Sequence, residues 1–197
     1  MRATISRRIV PPLYAARGPI DAMIFGEAPG PRGADKSGVP FWGDRSGRLL
    51  YRALERAGRA RVPSAAWEKW DGAFFHERGL RPKLTRTAVS NALAVCPTKD
   101  GLKFCAPTRD ELHAEVNQAR VLAELQRAAQ RCDGKLRIVA LGRHAEHMLR
   151  AVADRAPPHV FHHVPHPSAQ ALASGQRGAK MVDLEEAWIE RLVEILE

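Results

Sequence analysis

Long apolar runs are missing from this chain: no stretch of 18 or more apolar residues occurs, so no helix spanning a membrane is expected. Cysteine is scarce, with Cys96, Cys105 and Cys132 as the whole complement and no C-x-x-C pair among them. The basic start, Met1-Arg2-Ala3-Thr4-Ile5-Ser6-Arg7-Arg8, is not followed by an apolar stretch and a small-residue cleavage site, so no secretory signal is expected. Free thiols in a reducing, cytoplasmic setting follow from those two absences. Acidic residues are in deficit, 22 against 31 Lys and Arg, which leaves a formal charge of +9. That balance points to partners such as nucleic acid, anionic membrane or acidic protein, and says little about fold. Neither G-x-G-x-x-G nor G-K-[ST] is present, which removes the usual signatures of dinucleotide and triphosphate binding. There is no internal repeat and no low-complexity tract.

What is present is enough for one sizeable core. At 197 residues with 45% hydrophobic content, a single domain over 1–197 is the expectation. Asp21–Phe25, Thr87–Val95, Leu136–Leu141 and Val160–Val164 are short apolar runs closed by glycine, proline or polar residues. Runs of this kind suit strands buried on both faces. Between them the pattern predicts helices: one beginning near Asp44 as cap, with Leu49, Leu50, Leu54 and Ala57 on one face, one over 108–131, one over 144–153 and one over 182–196. Thr108 followed by Glu111 marks a capping box. Residues 58–86, with Trp67, Trp70, Phe74 and Phe75, are expected to form a helical insert packed on the core. The alternation predicts an α/β domain, an α/β/α sandwich around a four-stranded parallel sheet. In such sheets ligands bind beyond the carboxyl ends of the strands, and three Gly/Pro-punctuated loops, 26–43, 96–107 and 165–178, leave those ends.

Two of these loops carry a resemblance. Gly26-Glu27-Ala28-Pro29-Gly30, continuing through Ser37-Gly38-Val39-Pro40-Phe41-Trp42-Gly43 to Ser46-Gly47-Arg48-Leu49-Leu50, resembles the first motif of the family-4 uracil-DNA glycosylases and of the single-strand-selective monofunctional enzymes. His166-Pro167-Ser168 stands where that superfamily keeps its H-P-S loop, and Asn91, Pro107–Leu112 and Ile138–Gly142 fall between in the expected order.

The resemblance implies a monofunctional glycosylase that flips uracil out of DNA, hydrolyses its N-glycosidic bond and so initiates base excision repair. It implies that Phe41 stacks on the flipped base, that Asn91 reads the uracil edge, and that His166 lies against uracil O2. Backbone amides at Gly26, Ala28 and Gly30 would complete the pocket. One amide side chain suits the uracil edge, since it accepts from N3–H and donates to O4. Ser168, Gln170, Arg177 and Lys180 would meet DNA, with Leu172 as the wedge filling the gap left by the base. Glycine at position 30, where stricter relatives carry a bulky aromatic, implies tolerance of 5-substituted uracils or other deaminated bases.

The chain also departs from that pattern. Family-4 enzymes hold a four-cysteine iron–sulfur cluster; with no cysteine before Cys96 and Glu115 at the position of another ligand, no cofactor and no metal are expected. Where many superfamily members carry Asp or Asn, the first motif has Ala28, leaving Glu27 and Asp35 as the carboxylates able to orient water. No lysine sits at a motif position used for chemistry, so a Schiff base is not expected. DNA is the expected partner, with no membrane and no obligate protein partner, and a monomer is the expected state. His144 and His147 read as a solvated helix face. The alternative is a non-catalytic uracil- or damaged-DNA-binding protein of the same fold, for which Ala28 argues.

Overall fold

The computed structural model describes residues 4, 6, 8–100, 102–176 and 178–197. Four strands run parallel: β2 (Ala22–Gly26), β5 (Thr87–Asn91), β6 (Leu136–Leu141) and β7 (His159–Val164). A two-residue strand, β1 (Leu13–Tyr14), pairs antiparallel with β5 and makes the sheet five-stranded in the order β1-β5-β2-β6-β7. The Pro11-Pro12 pair precedes this edge strand, and two residues are too few for a period-2 signal in the sequence. Every residue of β2 and β5 is buried, as strands covered on both faces require.

Helix α2 (Arg45–Arg56) buries Leu49, Leu50, Tyr51, Ala53 and Leu54 and packs on α9 (Met181–Leu196), which also contacts β7. A second group, α5 (Arg109–His113), α6 (Glu115–Ala129) and α7 (Arg143–Val152), packs together and lies on β6 and β2 through α7. One apolar cluster runs from Ala15 to Leu196 through both helix groups and the sheet between them.

The stretch expected as one helix over 108–131 is two, broken at Ala114 (φ −52°, ψ 133°). The capping box of Thr108 and Glu111 is present at its start. At the break, side chains take carbonyls that a continuous helix would use: Asn117 Nδ2 donates to Leu112 O and Ala92 O, and Gln118 Nε2 donates to His113 O. The local bond from Asn117 to Leu112 O, together with its long-range bond to Ala92 in β5's exit loop, thus outweighs one helical turn.

The insert comprises β3 (Ala60–Arg61) paired with β4 (Lys83–Leu84), and helices α3 (Ser64–Glu68) and α4 (Gly72–Glu77). Its aromatics close over the long loop that follows β2. Trp42 stacks on Phe75 at 4.4 Å, Trp67 on Trp70 at 4.9 Å, and Trp70 Nε1 donates to Asp44 O at 2.7 Å. At the opposite, amino end of β2, Asp21 pairs with Arg59 and Arg86, whose guanidinium groups hold its carboxyl below the ordinary range.

Candidate active site

Parallel pairing puts the carboxyl ends of β2 and β5 side by side, with Gly26 in register with Asn91 and Leu141 with Val164. Gly26, Glu27, Asn91 and the His166 loop grow from this rim. Asn91 is 2% exposed, and its backbone end is fixed from beneath: Arg120 donates to Asn91 O and Ala92 O, and Asn117 to Ala92 O. Its side-chain Nδ2 is buried and meets no hydrogen-bond partner. A buried amide donor left unpaired costs about 1–3 kcal/mol, so it points to a ligand that supplies an acceptor.

Phe41 stands over that amide. Its φ of +62° is a backbone conformation that L residues rarely adopt. The conformation is enforced: Tyr51 Oη donates to Pro40 O, and Gly47 lies so close to Phe41 O that a Cβ there would approach to 1.7 Å. The ring rests on Gly26, where a Cβ would fall 2.1 Å from Phe41 Cζ and 2.9 Å from Asn91 Oδ1. Gly26, Phe41 and Asn91 therefore form one contact set, with the tip of the Phe41 ring, itself 4% exposed, over Gly26 beside the Asn91 amide.

His166 enters from the loop after β7. Trp188 Nε1 donates to Pro165 O, Ser168 N donates to His166 O, and Gly142 gives His166 Cβ its space, since a Cβ at 142 would sit 2.9 Å away. Burial pushes its imidazole below the ordinary 6.5, with the Glu27 carboxylate opposing that shift and His144 adding to it. The ring is thus neutral at pH 7, a donor without a full charge. Glu27 follows Gly26 directly; its carboxylate Oε2 lies 3.0 Å from His144 Nδ1 in the first turn of α7. His144 is accordingly a partner of the rim rather than part of a solvated helix face.

The remaining candidates divide. Ala28 and Gly30 are half-buried in the same loop. Asp35, on the short helix α1 (Ala34–Ser37), is 2% exposed and lies in a separate cleft lined by Ser6, Arg8, Lys36, Ala73, His76 and Glu77, where its Oδ1 accepts from Ser6 Oγ at 2.5 Å. The carboxylate whose charge reaches His166 is Glu27. Ser168 caps the short helix α8 (Ala169–Leu172), its Oγ accepting from Ala171 N, which leaves the hydroxyl proton free for a phosphate. Gln170 and Lys180 are exposed. Leu172, expected as a wedge, is 9% exposed and belongs to the core, so its side chain is spent on packing. Arg177 and Arg7 lie outside the described residues.

Asp44 has a role that its place before α2 concealed. It stands at the N-cap position but makes no cap bond; its carboxylate turns back to accept from Gly30 N (3.2 Å) and Ala34 N (3.1 Å). It fills the space that glycine leaves at position 30, where a Cβ would meet Asp44 Oδ1 at 2.1 Å. The space beside Gly30 thus holds the Asp44 carboxylate. Desolvation raises Asp44 from 3.8 to about 6, against the pull of the loop amides.

A group raised in the folded state favours folding most below its unfolded value, and that contribution is lost as pH rises through the folded value. The stability of wild type relative to Asp44→Asn is therefore expected to fall between pH 3.8 and about 6 and to level off above. Denaturant titrations of both proteins across that window check this; a flat difference would show that the carboxyl does not titrate there.

An iron–sulfur cluster finds no ligand set here. Cys96 is buried with its thiol pushed up to about 12, and the chain has only two other cysteines. Four thiolates are needed, so the residues do not fit such a cluster.

Residues 15–192 match the uracil DNA glycosylase superfamily over most of the chain. The chain belongs to that superfamily. Membership makes it a DNA glycosylase, an enzyme whose substrate is DNA. It is 30% identical over 177 residues to a type-5 uracil-DNA glycosylase of Mycobacterium leprae, covering 82% of this chain and 69% of that protein. It is 31% identical over 146 residues to the type-5 uracil-DNA glycosylase of Thermus thermophilus, covering 73% of this chain and 56% of that one. The motifs resemble family-4 enzymes, whereas these relatives carry the type-5 name; the superfamily is common to both. The crystal structure of wild-type Pedobacter heparinus SMUG2 shares the fold of this glycosylase, with a TM-score of 0.55, 12% identity, and coverage of 90% of this chain and 76% of that one.

Proposed function

We propose that this glycosylase releases uracil from DNA by hydrolysing the N-glycosidic bond of deoxyuridine, the opening step of base excision repair. The observation that carries the reading is the buried, unpartnered amide of Asn91 beside the Phe41 ring. A base flipped out of the stack needs a face to lie on and an edge to be read by, and these two side chains supply both. Asn91 donates to O4 and accepts from N3–H, a pairing that cytosine, with a donor at position 4 and no N3 proton, cannot return.

Bond cleavage leaves negative charge on the departing uracil and positive charge on the sugar. His166, half-buried and neutral, donates to O2 as the first develops. Glu27 faces the second and orients the water that adds to C1′. Asp35, in its own cleft, takes no part. Ser168, Gln170 and Lys180 hold flanking phosphates, aided by the overall positive charge. A 5-substituent meets the Asp44 carboxylate, so the pocket favours groups able to donate a hydrogen bond, such as 5-hydroxymethyl, over a bare methyl.

Labelled oligonucleotides bearing one uracil, thymine or cytosine, single-stranded and duplexed, test the reading. Uracil release with an intact abasic strand, and none from thymine or cytosine, is expected. Tight uracil-dependent binding without release would make the chain a sensor, and the absence of both would overturn the reading.

A further inference from the structure

We propose that His144 is a positioning residue that holds the Glu27 carboxylate in its working orientation, making the turn between β6 and α7 a fourth working segment of the active site. The inference rests on the role given above to Glu27. Ala28 offers no polar side chain at the next position, so the task falls on Glu27, a long side chain that loses its aim unless something fixes it. His144 Nδ1, 3.0 Å from Glu27 Oε2, does so. The glutamate's own backbone is fixed from the other side, since Leu93 N donates to Glu27 O.

The placement of His144 is itself determined. Gly142, two residues earlier, adopts a φ of +86°, donates its N–H to Val164 O and takes the Glu146 N–H on its carbonyl. Its missing side chain is where His166 Cβ sits. The turn is therefore clamped against the His166 loop on one side while it presents His144 to Glu27 on the other. Three loops from three strand ends meet at this point, and the Glu27 carboxylate that His144 holds also registers on His166.

An imidazole suits this work better than a lysine or an arginine. With its proton on Nδ1 the ring donates one hydrogen bond to Glu27 without cancelling the negative charge that a developing sugar cation needs. Along the same helix His147, one turn on, stacks on His113 at 4.9 Å, and Glu146 faces His163 and Arg150. The His144 side chain is 40% exposed, so changes there leave the core intact.

Steady-state uracil release by the full chain tests this, with His144→Ala, His144→Asn, Glu27→Gln and the pair His144→Ala/Glu27→Gln. Displacing a working group by about 1 Å costs on the order of 100-fold; a fall of roughly 10- to 100-fold is expected in kcat for His144→Ala, with KM within about twofold. Asparagine places its amide nitrogen near the position of Nδ1 and is expected to restore most of the rate. In the Glu27→Gln background, His144→Ala is expected to do nothing further, because the group it positions is gone. Equal losses in both backgrounds, an unchanged rate for His144→Ala, or an asparagine variant as slow as alanine would each overturn the proposal. A wild type that releases no uracil would instead sink the reading of the activity on which it stands.

Discussion

His166→Ala is expected to slow uracil release by roughly 10²- to 10³-fold, the usual cost of removing one donor aimed at a developing anion in a water-poor site. The size follows from where the ring sits. Burial holds it neutral, and Trp188, Ser168 and Gly142 fix the loop that carries it, so its donor is oriented before the reaction starts. A donor already in place pays no reorganisation as charge arrives on O2. Since the interaction strengthens only as the bond breaks, the loss should fall on the single-turnover rate and leave uracil-DNA affinity within a few-fold. His166→Gln, which offers an amide donor, should recover part of it. A loss below tenfold, or one confined to binding, would remove His166 from the chemistry and leave Asn91 and Phe41 as a recognition pocket.

Much of this arrangement was legible in the sequence because two kinds of signal are local. β2, β6 and β7 announce themselves as apolar runs closed by Gly or Pro, whereas the run expected over Thr87–Val95 leaves the sheet at Asn91; the parallel sheet then dictates that Gly26, Asn91 and the His166 loop share one rim. What escaped was set by tertiary choice. Asp44 precedes a helix and has the chemistry of a cap, yet two loop amides compete for the same carboxylate and win. His144 lies three residues from His147 on α7, a spacing that reads as a helix face. Only the approach of Glu27 from another strand end gives it a partner. Leu172 stands in a loop suited to a wedge, but α8 and α9 pack together and draw it inside. The break at Ala114 depends on Asn117 reaching Ala92, far along the chain, which no helix propensity records.

The Gly26 position carries the second large effect. A methyl group there would fall 2.1 Å from Phe41 Cζ, 2.7 Å from Cε2 and 2.9 Å from Asn91 Oδ1, so something must move. Phe41 cannot withdraw easily: its backbone is held at positive φ, with Gly47 against its carbonyl and Tyr51 bonded to Pro40 O. Nor can Gly26 retreat, since Ala92 N donates to its carbonyl and the strand register ties it to Asn91. The strain of such overpacking is typically about 1–3 kcal/mol, while displacement of a reacting geometry by about 1 Å costs on the order of 10²-fold in rate. Gly26→Ala is therefore expected to stay folded, with a lowered denaturation midpoint, and to lose about 100-fold or more in uracil release. The double variant Gly26→Ala/Phe41→Ala separates the two consequences. Removing the ring relieves the clash, so part of the lost stability should return relative to Phe41→Ala alone, but the activity should stay low because the stacking face has gone with it. Activity restored in the double variant would mean that the ring merely fills space over Gly26, and that the uracil face is held elsewhere.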